Sequence, residues 1–497
     1  MTWLALAAFA STLRDAPDGP PLPGATSTRA ARVGRALEGA GRGLAFGLGA
    51  NLVFLRFVPA VISRFTPLPW AVGLVALVLL AAAQSLAWAA CGVVFVRLAR
   101  AGAPRPLAFA IAALAASLVP CVFPWSPAGA LTPWPAMVQL ADAIGERGVT
   151  ALAALTAAVL EGAFAARSTK RRALPRLAFA AALVLVTAAH GRARMAAVER
   201  LRASANTAEV ALLQPSIGAA ARWNEANGPP ILEGLTALTR SAERRGAELT
   251  VWPEAAYPYL LNHAARRTPI GPWAILQPDV RGPVLTGAVL SAGHGDSYNS
   301  AIVAHGNGDV SPPYDKLHLL WFGEAVPLAA QLPWMRRTFA RGIGMVPGER
   351  SVILEAGQVR AGVLICFEDI LPEAGREAAA GAPNLLVDIS NDAWFTGSDE
   401  SEEHLQLAVL RAVETRRDLV RAVNSGPTSW VDAAGVVRAR YASDLPGLLL
   451  AEPALLETPP TAYVRLGDAP LVIASLAVGV GLVVRRRRAP TSEPHTP

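Results

Sequence analysis

Charge is scarce in this sequence. Charged residues make up 17% of the 497 residues, hydrophobic residues make up 53%, and the mean hydropathy is +0.35. A soluble protein usually carries about 25% charged residues. The shortage argues against an ordinary soluble protein and indicates a membrane protein whose apolar residues are unevenly distributed.

The apolar residues are concentrated in long segments that contain almost no charge. About 20 apolar residues span the hydrocarbon core of a bilayer, and a buried core helix is the other interpretation for any single segment. Several such segments in one chain favour membrane spans, although the last two are near the lower length limit. The predicted spans are 43–63, 69–97, 107–125, 147–166, 173–190 and 470–484.

The chain begins with another apolar stretch, MTWLALAAFAST, which is too short to span a bilayer. No basic residue precedes Arg14, so the stretch lacks the positive region with which a signal peptide begins. We therefore expect a partial first helix here.

Lysine is almost absent, because only Lys170 and Lys316 of the 45 basic residues are lysines. The arginines gather before the first span, in alternate loops and after the last span, and such basic loops stay in the cytoplasm. The sequence thus predicts a cytoplasmic C-terminus and places the long segment between the fifth and sixth spans on the other side. Four arginines after the fifth span depart from this rule, and both solvation and contact with anionic lipid headgroups are open for them: Arg192, Arg194, Arg200 and Arg202.

The long segment has a different pattern from the spans. Short runs of strand character recur in it, for example EVALLQ at 209–214 and NLLVDIS at 384–390, with helical patterns between some of them. Strands mixed with helices predict an α/β domain with buried sheets. We expect a membrane domain at 1–203, an extramembrane domain at 204–468, and a C-terminal helix with a basic tail at 469–497.

Cysteine is also scarce. Cys91 and Cys121 lie in apolar stretches, so Cys366 is the single cysteine of the extramembrane domain and cannot form a disulfide within it. Cys366 ends an apolar run of strand character, and Glu368 and Asp369 follow it. A lone cysteine is most often an inert buried thiol, so the residues near Cys366 must show whether its thiol is reactive.

Two other residues supply the chemistry that a reactive thiol needs. Lys316, in YDKLHLLWFGE, is the only lysine of the extramembrane domain, and Glu254 follows an apolar strand in TVWPEAAYP. Taken alone, Lys316 could be a lysine kept by chance, and Glu254 could be a solvated acid in a loop. Together, a carboxylate can take the thiol proton and an ammonium can stabilise the oxyanion that forms when the sulfur attacks a carbonyl. The set predicts acyl transfer through a thioester.

At these segments the chain resembles the nitrilase superfamily, whose catalytic set is Glu, Lys and Cys. The arrangement among membrane spans resembles the apolipoprotein N-acyltransferase family, from about residue 43 to the C-terminal helix. The resemblance implies an α/β fold, a nitrilase-like αββα sandwich inserted between transmembrane helices. The motifs in family order are FPW at 123–125, QPSI at 214–217, VWPEAAYP, YDKLHLLWFGEAVP, ICFED, and ISNDAWF at 389–395.

The resemblance assigns a role to each member of the set. Glu254 is expected to be the general base, Lys316 the oxyanion-stabilising ammonium and Cys366 the acylated nucleophile. Glu324 is expected to be a second essential carboxylate near the lysine, and Glu368 to support the site.

Three aromatic residues also match the family's motifs. The resemblance implies that Trp223 and Trp394 contact substrate, with ordinary packing as the alternative. Phe367 stands where the family usually has tyrosine, so a hydroxyl there is dispensable or replaced. The N-terminal part also contains fewer predicted spans than the family's usual eight helices require.

The reaction implied by the resemblance moves an acyl chain from a phospholipid, through a cysteine thioester, to the α-amine of the N-terminal diacylglyceryl-cysteine of a lipoprotein. No cofactor, metal or nucleic acid is expected, and the enzyme is expected to be a monomer in the bacterial inner membrane with its catalytic domain in the periplasm. A membrane-anchored amidase or hydrolase of the same superfamily and a non-catalytic membrane scaffold are the alternatives.

Overall fold

The structure is a computed structural model and describes residues 2–14, 29–218, 221–293, 296–321, 323–325, 344–441 and 443–488. The predicted basic tail beyond Arg488 lies outside the described residues.

Helices form the first part of the described chain and pack into one bundle. Phe9 stacks on Phe46 with ring centroids 4.3 Å apart and meets Trp88 edge-on, so the first helix belongs to the bundle core. The apolar start of the chain is therefore helical, as the sequence predicts. The helices are α1 (Thr2–Arg14), α2 (Arg29–Phe54), α3 (Val58–Phe65), α4 (Trp70–Gln84), α5 (Leu86–Arg100), α6 (Arg105–Ser117), α7 (Ala141–Ala165) and α8 (Lys170–Ala203).

Among the described residues, three helical runs are long and apolar enough to cross a membrane. They are Trp70–Arg100, which comprises α4 and α5, Ala141–Ala165 and Lys170–Ala203, and each covers a predicted span. The bent pair of α2 and α3 makes a fourth crossing if its two helices, which meet at 49°, count as one span.

Two predicted spans are not the unbroken helices that the sequence suggests. The span at 43–63 is interrupted between Phe54 and Val58. In the span at 107–125 the helix ends at Ser117, because Pro120 and Pro124 lack the N–H that a continuing helix needs. Helix α6 has 13 residues and is about 20 Å long, shorter than a hydrocarbon core of about 30 Å.

After the first eight helices, the described part of the chain forms two large sheets. One sheet has the order β15-β2-β3-β5-β6-β7, with β4 beside β5 and β8 beside β6, and the other has the order β14-β13-β12-β11-β10-β9. The strands are β1 (Asn206–Thr207), β2 (Val210–Gln214), β3 (Leu249–Val251), β4 (Leu261–Asn262), β5 (Val284–Gly293), β6 (Asp296–Ala304), β7 (Tyr314–Asp315), β8 (Gly344–Met345), β9 (Ile353–Ala356), β10 (Val359–Ile365), β11 (Leu385–Ser390), β12 (Leu419–Val423), β13 (Ser429–Val431), β14 (Val437–Arg440), β15 (Gly447–Ala451) and β16 (Ala454–Leu455).

The two sheets pack face to face and helices cover their outer faces. Leu212 and Val251 of the first sheet share a core with Val363 and Val387 of the second. Helix α9 (Gly228–Arg244) covers the first sheet, and α10 (Pro372–Ala380) and α11 (Glu400–Thr415) cover the second. The predicted αββα sandwich is therefore confirmed, and its central strands β10, β11 and β12 run parallel.

The chain returns to the bundle through α12 (Ala462–Leu466) and α13 (Ala469–Arg488). Helix α13 corresponds to the predicted last span, and its apolar part, Ala469–Leu482, is among the shorter apolar helices. Leu410 and Val413 of α11 lie in the apolar core of the bundle, so the sandwich and the bundle share an interface.

Charged residues at the start of α7 contribute polar contacts at this interface. Asp142 accepts hydrogen bonds from Arg416 and Arg194, each at 2.9 Å, and Glu146 accepts one from Arg411 at 2.6 Å. Arg202 donates to Asp418 at 3.0 Å. Two of the four arginines that depart from the loop-charge rule therefore pair with carboxylates at this interface.

Glycines allow α2 and α5 to approach closely. A Cβ on Gly43 would lie 1.9 Å from the carbonyl oxygen of Trp88, and a Cβ on Gly39 would lie 2.7 Å from that of Gly92. No side chain fits at such distances, so these backbones contact each other directly.

We expect Gly43→Ala to lower the Tm of the purified protein, because overpacking of this kind costs about 1–3 kcal/mol. Gly41→Ala is the matched control, since a Cβ there meets nothing within 4 Å. Alanine in a helix is favoured over glycine by about 0.5–1 kcal/mol, so the control should be neutral or stabilised. Equal Tm values for the two variants would contradict close packing at Gly43.

Candidate active site

Three strand ends bring the predicted catalytic residues together. Glu254 follows β3, Lys316 follows β7 and Cys366 follows β10. The Nζ of Lys316 lies 3.5 Å from Oε1 of Glu254, and this carboxylate is close enough to Cys366 for its charge to act on the thiol. The residues lie far apart in sequence, and pairing within the two sheets places them in one cluster.

Glu324 also lies in this cluster. Its Oε2 lies 2.8 Å from the Nζ of Lys316 and accepts a hydrogen bond from the N–H of Leu320 at 2.9 Å. The Lys316 side chain is 2% exposed, so its ammonium is held between two carboxylates away from bulk water.

Cys366 has an unusual backbone conformation. It starts a short 3₁₀ helix, Cys366–Ile370, directly after β10, and its φ is +55°. Non-glycine residues rarely adopt this left-handed region, so surrounding contacts must hold the turn. The side chain is half-buried against the core of the sandwich.

Glu368 supplies those contacts. Its fully buried carboxylate accepts hydrogen bonds from the N–H groups of Ile365 at 2.9 Å, Leu317 at 2.7 Å and His318 at 3.0 Å. The Tyr314 hydroxyl donates a fourth at 2.9 Å. Glu368 thus connects the turn of Cys366 with the segment that carries Lys316.

The turn that carries Glu254 needs a glycine and an arginine. A Cβ on Gly287 would lie 2.5 Å from the N of Ala255, so the turn packs directly on β5. The buried Arg222 guanidinium donates to the carbonyl oxygens of Ala255 and Tyr257. Sequence reasoning missed Arg222, because only its position beside Trp223 marked the segment.

Asn299 is a second residue that sequence reasoning missed. Its Nδ2 donates to Oε1 of Glu254 and to Oε1 of Glu324, both at 2.7 Å. The one signal in the sequence is a polar amide within a strand that is otherwise buried, β6. This amide holds the two carboxylates on either side of the lysine.

The charges of the cluster determine its resting protonation. Burial lowers the pKa of Lys316, but the carboxylates of Glu324 and Glu254 outweigh this effect and raise it, so the amine stays charged. Burial raises the pKa of Glu254, against the opposing charge of Lys316. Burial, and then the negative charge of Glu254, raise the pKa of Cys366 well above its usual value. The resting thiol is therefore protonated and lies beside a carboxylate of increased basicity.

The three aromatic residues that the sequence singled out have different surroundings. The Phe367 ring meets Phe123 of the bundle edge-on, with centroids 6.4 Å apart. Trp394 packs against an apolar cluster that contains Leu55 and Phe57, so it contacts the bundle. Trp223 ends the 3₁₀ helix Ala221–Trp223, and its side chain lies outside the described part of the chain.

Within the described residues, no group of three or more His, Cys, Asp or Glu side chains is arranged to hold a metal ion.

We expect the Cys366 thiolate to form only above the ordinary thiol range, which is near pH 8.5. Glu254→Gln removes a negative charge and should shift this titration to lower pH, whereas Lys316→Met removes a positive charge and should shift it upward. Ultraviolet thiolate absorbance, with Cys366→Ser subtracted to cancel Cys91 and Cys121, measures the shift. An upward shift in Glu254→Gln would contradict the described electrostatics.

Comparison with known proteins gives matches over both parts of the chain. The family model for the apolipoprotein N-acyltransferase N-terminal domain matches residues 21–159, and that for carbon-nitrogen hydrolase matches residues 209–455. An apolipoprotein N-acyltransferase of Geobacter metallireducens is 32% identical over 90% of this chain and 87% of its own length. One of Bradyrhizobium diazoefficiens is 32% identical over 74% of this chain and 70% of its own length.

Among solved structures, an amidase of the nitrilase superfamily from Nesterenkonia AN1 is similar, with 20% identity, a TM-score of 0.39, and coverage of 54% of this chain and 98% of the amidase. The long matches to curated relatives, which include the membrane part and the sandwich alike, show that this chain belongs to the apolipoprotein N-acyltransferase family.

Proposed function

We propose that this protein is an acyltransferase that moves an acyl chain from a phospholipid to the α-amine of the N-terminal diacylglyceryl-cysteine of a lipoprotein. The observation that carries the proposal is the cluster of Cys366, Glu254 and Lys316 in a sandwich joined to membrane helices. The names of the relatives support the same reaction.

In the first half-reaction, Glu254 takes the thiol proton as the sulfur of Cys366 attacks the ester carbonyl of the phospholipid. The carbonyl oxygen becomes negative in the tetrahedral intermediate. When the intermediate collapses, the C–O bond breaks, Glu254 returns the proton to the leaving oxygen, and a lysophospholipid departs. The acyl chain is then a thioester on Cys366.

In the second half-reaction, the lipoprotein amine attacks the thioester carbonyl and gives a proton to Glu254. The C–S bond breaks, an amide forms, and the sulfur regains a proton from Glu254. Glu254 is suited to this proton transfer, because burial raises its pKa and makes the carboxylate a better base.

Lys316 stabilises the oxyanion in both half-reactions. Its ammonium is already charged and fixed by Glu324 at 2.8 Å, so little reorganisation is needed when negative charge develops on the substrate. Loss of one such stabilising group costs about 10²–10³ in rate. We assign Glu324 and Asn299 to positioning, since both hold this charge in place.

The architecture suits substrates that are anchored in lipid. We propose that residues 1–203 and 469–497 form the membrane part and that residues 204–468 form the catalytic domain on the periplasmic side of a bacterial inner membrane. The arginine-rich loops support this orientation. The enzyme acts as a monomer without a cofactor, and the contact of Phe367 with Phe123 keeps the nucleophile next to the bundle.

We expect the purified enzyme to acylate itself when given a phospholipid with a labelled acyl chain and no lipopeptide. Attack by the Cys366 thiol leaves a thioester, which hydroxylamine should cleave and which added diacylated lipopeptide should discharge. Cys366→Ala should take no label, and Glu254→Gln should take little because the thiol proton then has no acceptor.

Cys121→Ala is the matched control, since Cys121 is only partly buried and lies outside the cluster; it should label normally. Label on Cys366→Ala equal to that on the unaltered enzyme would contradict the mechanism. Label that leaves Cys366 only to water, even with lipopeptide present, would instead favour the membrane-anchored hydrolase or amidase.

We expect Asn299→Ala to slow acyl transfer roughly ten- to hundredfold, because hydrogen bonds to charged groups contribute about 1.5–3 kcal/mol. The hydrogen bond from Asn299 lowers the pKa of Glu254, whereas the charge of Glu324 raises it. The variant removes only the lowering effect, so the pKa of Glu254 rises and the acid limb of the pH–rate profile should move to higher pH. Asn307→Ala, in an exposed turn where the amide contacts Asp309, is the control. An unmoved acid limb would contradict this role.

A further inference from the structure

A cavity of about 450 Å³ lies where α7 and α8 meet the segment that leads from β16 to α12. None of the residues that line it belongs to the active-site cluster. Its wall is mostly apolar and includes Leu140, Val198 and Leu201, and its polar lining includes His190, Arg194 and Arg416. The proposed reaction leaves this cavity without a role.

The cavity carries surplus positive charge. Arg194 and Arg416 both donate to the same oxygen, Oδ2 of Asp142, so two guanidinium groups share one carboxylate. Arg416 is buried, and its remaining donors bind Gln139 and the carbonyl oxygen of Ala433.

Arg194 differs from Arg416 in having donor capacity left. Its Nε and Nη2 face Asp142, while its Nη1 has no hydrogen-bond partner among the described residues. The side chain is 39% exposed, so an anion that enters the cavity can reach it.

The cavity lies at the depth of a membrane interface. Lys170 and His190 are separated on α8 by about 30 Å, since a helix rises 1.5 Å per residue, and this equals the thickness of a hydrocarbon core. Between them, α8 exposes Phe179, Leu185 and Val186, and only 17% of its apolar window is buried within the protein. The cavity is therefore next to a helix face that lipid covers.

We propose that this cavity binds the headgroup of an anionic phospholipid from the leaflet on the side of the catalytic domain. The phosphate would accept a hydrogen bond from Nη1 of Arg194. The apolar wall would contact the glycerol and upper acyl carbons, and the chains would continue along α8. Basic pockets between membrane helices are known to hold anionic headgroups on the cytoplasmic side of membranes, and the same charge complementarity applies to a basic recess in the other leaflet. Bound there, the lipid joins α7, α8 and the 456–462 segment, so it stabilises the contact between bundle and sandwich.

The proposal is tested by lipid-dependent stability, which does not require acyl transfer. Ether-linked phosphatidylglycerol, which has no ester acyl chain to donate, should raise the Tm of the detergent-solubilised protein with increasing concentration. Ether-linked phosphatidylcholine with the same chains should not. Arg194→Gln should require roughly fivefold more phosphatidylglycerol for the same rise, since one basic residue near a headgroup contributes about that factor.

Arg192→Gln is the matched control, because Arg192 is exposed on the same helix and does not line the cavity. It should respond as the unaltered protein does. An equal response of Arg194→Gln and Arg192→Gln would overturn the proposal, and so would an equal response to the two lipids. An equal Tm rise with inorganic phosphate would show a site for free anions and would also overturn the lipid assignment.

A second measurement uses the unaltered protein, so it holds even if Arg194→Gln does not fold. Photoactivatable phosphatidylglycerol in a phosphatidylcholine nanodisc should label peptides from residues 190–201 and 456–462. An excess of unlabelled phosphatidylglycerol should suppress this labelling. Labelling found only elsewhere in the chain would overturn the proposal.

Discussion

The buried ammonium of Lys316 is the charge around which the proposed active site is arranged. An isolated charge in this position would cost several kcal/mol, so it needs carboxylates nearby. Glu324 at 2.8 Å and Glu254 at 3.5 Å supply them, and Asn299 bonds to both. The same arrangement leaves one more negative than positive charge beside Cys366, which, together with burial, keeps the resting thiol protonated.

Glu368 extends this arrangement to the backbone. A buried carboxylate requires donors, and here four donors from two segments converge on it. The turn at Cys366 and the segment after Tyr314 are therefore fixed relative to each other. The left-handed conformation of Cys366 is tolerated because these bonds specify it. Cys366 and Lys316 thus share one support, although 50 residues separate them in the chain.

The contact between bundle and sandwich gives the chemistry its location. Asp142 and Glu146 of α7 bind arginines of the sandwich, and Arg194 and Arg202 of α8 bind carboxylates on the same interface. These pairs also account for two of the four arginines that lie past the fifth span against the usual loop rule, Arg194 and Arg202. Since Phe367 and Trp394 meet the bundle directly, Cys366 is held beside the apolar helices, where the proposed lipid-anchored substrates need not enter water.

The sequence by itself determined the class of the fold and singled out most of the groups that we propose to be reactive. Apolar runs marked the membrane helices, and the scarcity of lysine and cysteine made Lys316 and Cys366 conspicuous at strand ends. Only the tertiary structure shows that the first span bends, that Trp394 packs at the interface between bundle and sandwich, and that Asn299 and Arg222 hold the segments around Glu254. Their partners are 45 and 33 residues away in the chain, and contact depends on which strands pair and how loops pack. A local sequence pattern does not specify that pairing, because an asparagine in a buried strand gives the same pattern whether its amide contacts a carboxylate or a backbone group.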